Sequence, residues 1–350
     1  MRRAPGLTTR LLLAPVTGAL LALACSAAER LEPLDADIRA VSVSGVSSGG
    51  SMAVQFHLAH SRMVRGAGVL AAGPYYCAMG SLWTAYYNCA TPSAWARLPS
   101  TEVLVGLTRG FARAGAIDPL AGVSGAKVWL FSGTRDETVK PEVVAALRDF
   151  YRAIAQRADI AFVADVPAGH GMVTSGSGHA CGASERPFIN NCGYDAAGAL
   201  LGHLLGRLAP PEDRGGPLLE FDQREFAGGA PAAVGMADSG YAWVPGGCRR
   251  ERCRVHVVFH GCRQNAQTLG ERFVREAGYN RWAESNRLIV LYPQTIARAG
   301  WDFSHGTPSF IFNPRGCWDW WGYTGRAYHT KQGPQIAAVR AMLERLGSPR

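Results

Sequence analysis

Residues 38–60 constrain the fold of this chain most. Residues 38–44 alternate apolar and small side chains, as a short buried strand does. Residues 45–50, G-V-S-S-G-G, then form a tight turn, and residues 51–60 place Met52, Val54, Phe56 and Leu58 in a helix-compatible setting. A strand that turns sharply into a helix lifts the residue at its apex, here Ser47, clear of the sheet. Glycines flank that apex because side chains there would clash. The G-x-S-x-G pattern alone is weak in a chain with 42 glycines in 350 residues; its setting between strand and helix gives it weight.

The same rhythm continues along the chain. Residues 64–72, 127–132 and 160–166 read as strands, and 141–155 and 194–208 as helices, the first with Pro141 in its opening turn. After a linker at 209–217, residues 218–226 and 240–245 read as two weaker strands. Residues 254–259, R-V-H-V-V-F, form a strong buried strand and 288–292 another, while 268–285 and 332–346 read as helices. Residues 75–119 form a loop-rich excursion with one or two helices, and 303–328 a Trp-rich loop region. Strands alternating with helices predict an α/β fold with a mostly parallel central sheet and helices on both faces. Residues 29–350 are expected to form one domain.

Residues 1–28 have the make-up of an export signal: Arg2, Arg3 and Arg10, an apolar stretch at 11–23, and the small-x-small pattern Ala22-Leu23-Ala24. Cleavage after Ala28 fits as well. Cys25 follows Leu21-Ala22-Leu23-Ala24, an imperfect match to a bacterial lipoprotein site, so a lipid anchor at Cys25 is the alternative. The expected location is periplasmic or extracellular, or the outer membrane if Cys25 is lipidated. No later apolar run reaches the ~20 residues of a membrane span. The charge of +9 is carried largely by scattered arginines, which argues against a nucleic-acid partner. Export makes the remaining eight cysteines readable as disulfides. Sequence neighbours pair as Cys77 with Cys89, Cys181 with Cys192 and Cys248 with Cys253, leaving Cys262 for Cys317. No tight C-x-x-C with histidine partners occurs, so no metal and no cofactor is expected.

A serine hydroxyl needs a base to attack near neutral pH. In a sheet of this kind the order is Ser, then acid, then His, each on a loop after a strand. Asp136 in G-T-R-D-E-T-V and His170 in P-A-G-H-G-M meet that order. Asp165 and Glu137 are rival acids and His179 a rival base; His57, His60, His203 and His256 sit inside helical or strand patterns. The tetrahedral intermediate needs two backbone N–H donors. Ser48 supplies one. The other is expected at a His-Gly motif before the nucleophile, yet His260-Gly261-Cys262 comes far after it. A circular permutation accounts for this: the sheet starts at the nucleophile strand, and its usual first four strands come last.

The stretches V-S-G-V-S-S-G-G-S-M-A, L-F-S-G-T-R-D-E-T-V, V-P-A-G-H-G-M, N-C-G-Y-D-A-A-G, F-H-G-C-R-Q and C-W-D-W-W-G-Y span nearly the whole mature chain. Together they resemble the single-domain, circularly permuted polyhydroxybutyrate depolymerases. The resemblance implies a permuted α/β-hydrolase fold, the triad Ser47–Asp136–His170, oxyanion donors at Ser48 and Cys262, and a substrate-binding tryptophan at Trp318 or Trp320. It implies an aliphatic polyester or hydroxyalkanoate oligomer as substrate. The competing expectations are an esterase for feruloyl or acetyl esters of plant walls and a non-catalytic polymer-granule-binding protein.

Overall fold

The computed structural model describes residues 28–212, 218–303 and 308–350. The expected export signal up to residue 27, with Cys25, lies outside the described residues, as does most of the linker's end at 213–217. From β1 (Asp37–Val46) the chain turns into α1 (Ser48–Ala59) and continues through β2 (Val64–Leu70), α2 (Thr101–Arg113), β3 (Lys127–Phe131), α3 (Pro141–Ile154) and β4 (Asp159–Val163). Three very short strands follow, β5 (Met172–Thr174), β6 (His179–Ala180) and β7 (Ile189–Asn191), then α4 (Ala196–Leu205). The later part runs β8 (Leu218–Asp222), β9 (Ser239–Trp243), β10 (Arg254–Phe259), α5 (Ala266–Leu269), α6 (Arg272–Glu276), α7 (Tyr279–Ser285), β11 (Leu288–Tyr292), β12 (Arg298–Asp302), β13 (Ser309–Asn313) and α8 (Pro334–Gly347).

Eight strands form one sheet in the order β4-β3-β2-β1-β10-β11-β9-β8. Only β9 runs against the rest, antiparallel to β11 and β8. Strand β1, which leads into Ser47, is therefore central although it comes first. The four strands that follow α4 in the main sheet fill one side of it. This is the α/β-hydrolase sheet opened at β1, as the displaced H-G-C motif implies. Parallel register makes the permutation matter: Gly45 lies beside Phe259 and Val46 beside Leu70, so β1 and β10 end level. Ser47 and His260–Cys262 leave the sheet side by side.

The sheet is buried on both faces. One core layer holds Val41, Val43, Phe56, Val143, Leu147, Val257 and Leu343, under α1, α3 and α8. The other holds Trp129, Leu200, Leu201, Val258, Phe273 and Val290, under α4, α6 and α7. Helix α3 illustrates why these segments are helical. Val143, Val144, Leu147, Phe150 and Tyr151 recur at helical spacing and are all buried. Burying each large apolar side chain contributes about 1.5–3 kcal/mol. No helix among the described residues is long and apolar enough to cross a membrane.

Three expectations are corrected. The helix expected over 268–285 is three short helices, because Gly270 (φ 59°) and Gly278 (φ 91°) adopt left-handed backbone between them. The strand expected over 160–166 ends at Val163, which leaves Asp165 beyond it. Part of the region 303–328 is strand, with β13 pairing antiparallel to β12.

Candidate active site

Ser47 sits at the apex between β1 and α1 with φ 58° and ψ −125°. That left-handed backbone is rare for a non-glycine residue and marks a site held in place by its surroundings. The Ser47 amide donates to Leu70 O at 2.9 Å, anchoring the apex to β2. Gly49 makes the close approach possible: a Cβ there would lie 2.2 Å from the Phe259 carbonyl oxygen.

Two loops bring the partners. His170 Nε2 lies 2.9 Å from Ser47 Oγ, and His170 Nδ1 lies 2.8 Å from Asp136 Oδ2. The other Asp136 oxygen accepts from the amides of Thr138 and Val139, both at 2.9 Å. These bonds fix the carboxylate and aim its other oxygen at the imidazole. Since the Nδ1 proton faces Asp136, Nε2 is left to accept from the serine. Both side chains are nearly buried, at 2% and 6% exposure for Asp136 and His170. The rivals lie elsewhere. Asp165 and Glu137 are exposed, and His179 faces Glu185 at 3.6 Å. His57 and His256 are buried in the core, where they bond Tyr151 and the pair Ser42 and Ser44. His60 caps the end of α1, and the exposed-side His203 bonds Asp159 O.

The H-G-C turn lies against the nucleophile turn. A Cβ on Gly261 would be 3.4 Å from Ser47 Cβ. His260 is fully buried, and burial holds its pKa down to about 4. The Thr295 amide donates to His260 Nε2, so the ring proton sits on Nδ1 and bonds Gly261 O. Gln264 completes the brace: its Oε1 accepts from Gly261 N, and its Nε2 donates to Pro187 O and Phe188 O. It ties the turn to the segment that follows the His170 loop. Sequence reasoning passed over Gln264, although it ends the F-H-G-C-R-Q stretch.

Above Ser47 opens a cavity of ≈ 310 Å³. Ser47, His170 and Cys262 meet there with apolar Tyr86, Val139, Phe188 and Trp320. Of the two candidate tryptophans, Trp320 lines the cavity and Trp318 does not. Trp318 is wholly buried behind the nucleophile turn, with its ring edge-on to Phe259 at 5.0 Å and its amide donating to Ser48 Oγ. Asp319 lies between them. Its buried carboxylate accepts from the amides of Trp321, Gly322, Tyr323 and Thr324 and from the Thr324 hydroxyl. That cluster fixes the turn from 319 to 324, which carries Trp320. A second, polar cavity of ≈ 350 Å³, near Asp195 and Arg275, has no histidine in its lining among the described residues.

All four expected disulfides are formed: Cys77–Cys89, Cys181–Cys192, Cys248–Cys253 and Cys262–Cys317. Cys262–Cys317 joins the H-G-C turn to the tryptophan loop, and Cys77–Cys89 braces the segment that carries Tyr86. Four disulfides fit a protein that matures in an oxidising compartment after export.

No family model matches the chain. Named relatives do. A poly(3-hydroxybutyrate) depolymerase from Delftia acidovorans is 42% identical over 347 residues, which cover 96% of this chain and 66% of that protein. A polyhydroxybutyrate depolymerase from Talaromyces funiculosus is 33% identical over 92% of this chain and 94% of its own length. The crystal structure of PHB depolymerase from Penicillium funiculosum matches with a TM-score of 0.80 at 31% identity, over 91% of this chain and 98% of that one. A serine-to-alanine variant of PHB depolymerase complexed with an R3HB trimer matches equally well. With the sheet order, the level ends of β1 and β10 and the serine–histidine–aspartate line already in place, these likenesses make the chain a member of the polyhydroxybutyrate depolymerase family.

Proposed function

We propose that this chain is an exported serine esterase that hydrolyses poly(3-hydroxybutyrate) or its oligomers through an acyl-enzyme. The observation that carries the reading is the unbroken line Asp136–His170–Ser47 opening into a cavity walled by Trp320, Tyr86 and Phe188. Ser47 Oγ attacks the ester carbonyl while His170 Nε2 takes its proton. Asp136 keeps the imidazole in the required tautomer and stabilises its cationic form. The developing oxyanion is held by the backbone N–H groups of Ser48 and Cys262, each on a braced turn that need not reorganise during reaction. His170 then protonates the departing alcohol. Water, activated by the same imidazole, releases the acid and restores Ser47.

The cavity suits an aliphatic polyester. Methyl groups and methylene spacers can lie against the Trp320 and Phe188 rings, whose burial by substrate contributes binding without any charge. The reading as a feruloyl or acetyl esterase has no specific observation in its favour. The relatives are named for polyhydroxybutyrate depolymerisation, and a binding protein has no use for an aligned triad. The protein acts in the periplasm or outside the cell.

The test is turnover of amorphous poly(3-hydroxybutyrate) and of its dimer and trimer by the wild type and by Ser47→Ala. Release of 3-hydroxybutyrate products by the wild type alone is expected. Failure to release product from any of the three overturns the reading, and release of ferulate or acetate instead reassigns the substrate.

A further inference from the structure

The cavity above Ser47 contains a pair of side chains that a neutral polyester does not explain. Arg263 and Arg315 both line it, both are exposed, and no Asp or Glu lines it among the described residues. Neither guanidinium pairs with a carboxylate among the described residues. Arg315 lies over the Tyr86 ring at 5.9 Å. The two are fixed relative to each other. The Arg263 amide donates to Arg315 O at 2.7 Å, and the Cys262–Cys317 disulfide crosses between the same segments one and two residues away. Arg263 adopts φ 61°, a conformation that its side chain does not itself favour. Two uncompensated cations on mutually braced backbone beside a nucleophile form a receptor for an anion.

We infer that Arg263 and Arg315 bind the free carboxylate at the end of a hydroxyalkanoate oligomer and make the enzyme prefer such acids over end-blocked esters. The inference rests on the esterase reading and names the substrate feature that the same site selects. In a 3-hydroxyalkanoate chain the carboxyl end belongs to the alcohol half of every ester bond. Arg263 and Arg315 therefore hold the leaving portion. Ester carbonyls are neutral acceptors and gain little from a guanidinium near water, whereas a carboxylate makes charge-assisted, bidentate bonds about twice as strong.

The test compares the (R)-3-hydroxybutyrate trimer as free acid and as methyl ester, each followed as release of the hydroxyl-end dimer at pH 8 and low salt. The ratio of the two kcat/KM values is the readout, so every variant carries its own control for folding. The wild type is expected to favour the free acid about tenfold, a preference that shrinks as salt is added. Arg263→Gln and Arg315→Gln each lower the ratio, and the double variant brings it close to one. A wild-type ratio of one or below overturns the inference, as does a ratio unchanged in the double variant. Both results leave the esterase reading standing, because both substrates are still cut. A wild type that cuts neither substrate removes the esterase reading and this inference together.

Discussion

Replacing Gly49 by alanine separates the geometry of the site from its chemistry. The added methyl group meets the Phe259 carbonyl oxygen at 2.2 Å and that of His260 at 2.4 Å. Real Cβ contacts essentially never fall below 3.0 Å, so the start of α1 and the end of β10 must part by at least 0.8 Å. Both obstacles are backbone at the end of a central strand, and no side chain can swing aside to relieve them. The forced gap opens between Ser48 and the His260–Cys262 turn, where the two proposed oxyanion donors lie. A donor displaced from about 2.9 Å to about 3.7 Å no longer makes a hydrogen bond. Losing one such donor lowers kcat about 10²- to 10³-fold, and overpacking costs about 1–3 kcal/mol of stability. The assay is kcat and KM on p-nitrophenyl butyrate, beside urea unfolding of the same protein. The expected result is a folded variant with kcat down about 100-fold and KM within a few-fold of the wild type. Gly106→Ala in α2, where nothing lies within 4 Å of the added Cβ, is the control. It should keep full activity and gain about 0.5–1 kcal/mol. A folded Gly49→Ala protein with kcat within threefold of the wild type refutes the reasoning.

Four further expectations follow from the same contacts. Asp136→Asn leaves the loop in place but presents the wrong partner to His170 Nδ1, so kcat should fall about 10³- to 10⁴-fold with the fold intact by circular dichroism; a loss under tenfold contradicts the assigned acid. Trp320→Ala should raise KM for the trimer several-fold, while the buried Trp318→Ala should instead cost about 3–5 kcal/mol of stability; equal effects on both measurements would contradict their opposite placement. Burial holds His57, His256 and His260 neutral, with pKa values lowered to about 4, about 3 and about 4. Since the unfolded chain regains the ordinary value near 6.5, it binds more protons below that pH. The stability is fully present above about pH 6.5 and drains as pH falls through the folded values, by up to about 1.4 kcal/mol per pH unit for each histidine. A melting temperature unchanged from pH 7 to pH 5 speaks against it. The Cys262–Cys317 bridge closes a loop with a sequence separation of 55, so Cys317→Ser should cost about 4 kcal/mol. It should also lower activity, because it frees the H-G-C turn; full activity at unchanged stability would show that the bridge braces nothing.

Much of this site was legible in the linear order of residues. The candidate residues Ser47, Asp136 and His170 stood out because each follows an apolar strand, and the structure brings the three within hydrogen-bond distance. His260-Gly261-Cys262 stood in the wrong place for an ordinary sheet, and that misplacement carried the permutation. What stayed hidden depends on contacts between distant loops. Trp318 and Trp320 are indistinguishable by composition, and only the packing of Trp318 against Phe259 and His260 separates it from Trp320 in the cavity. Tyr86 and Arg315 meet at the cavity from opposite ends of the chain with no shared motif. The break of the 268–285 helix depended on Gly270 and Gly278 taking left-handed backbone, which a glycine permits but does not announce. Strands β5, β6 and β7 have two or three residues each, too few for any periodicity to register.

The permuted order also bears on how the protein comes to be active. Ser47, Asp136 and His170 all belong to the part of the chain that carries β1–β4 and the loop after β4. Cys262 comes much later in the chain, in the turn after β10, and β10 pairs with the first strand, Asp37 lying beside Arg254. Pairings this far apart in sequence are slow to close. Until they do, β1 presents a bare inner edge, the feature of a sheet most prone to capture a neighbouring chain. The proposed triad thus lies wholly before β8, and the proposed oxyanion donor at Cys262 joins it only through the strands that come last in the chain.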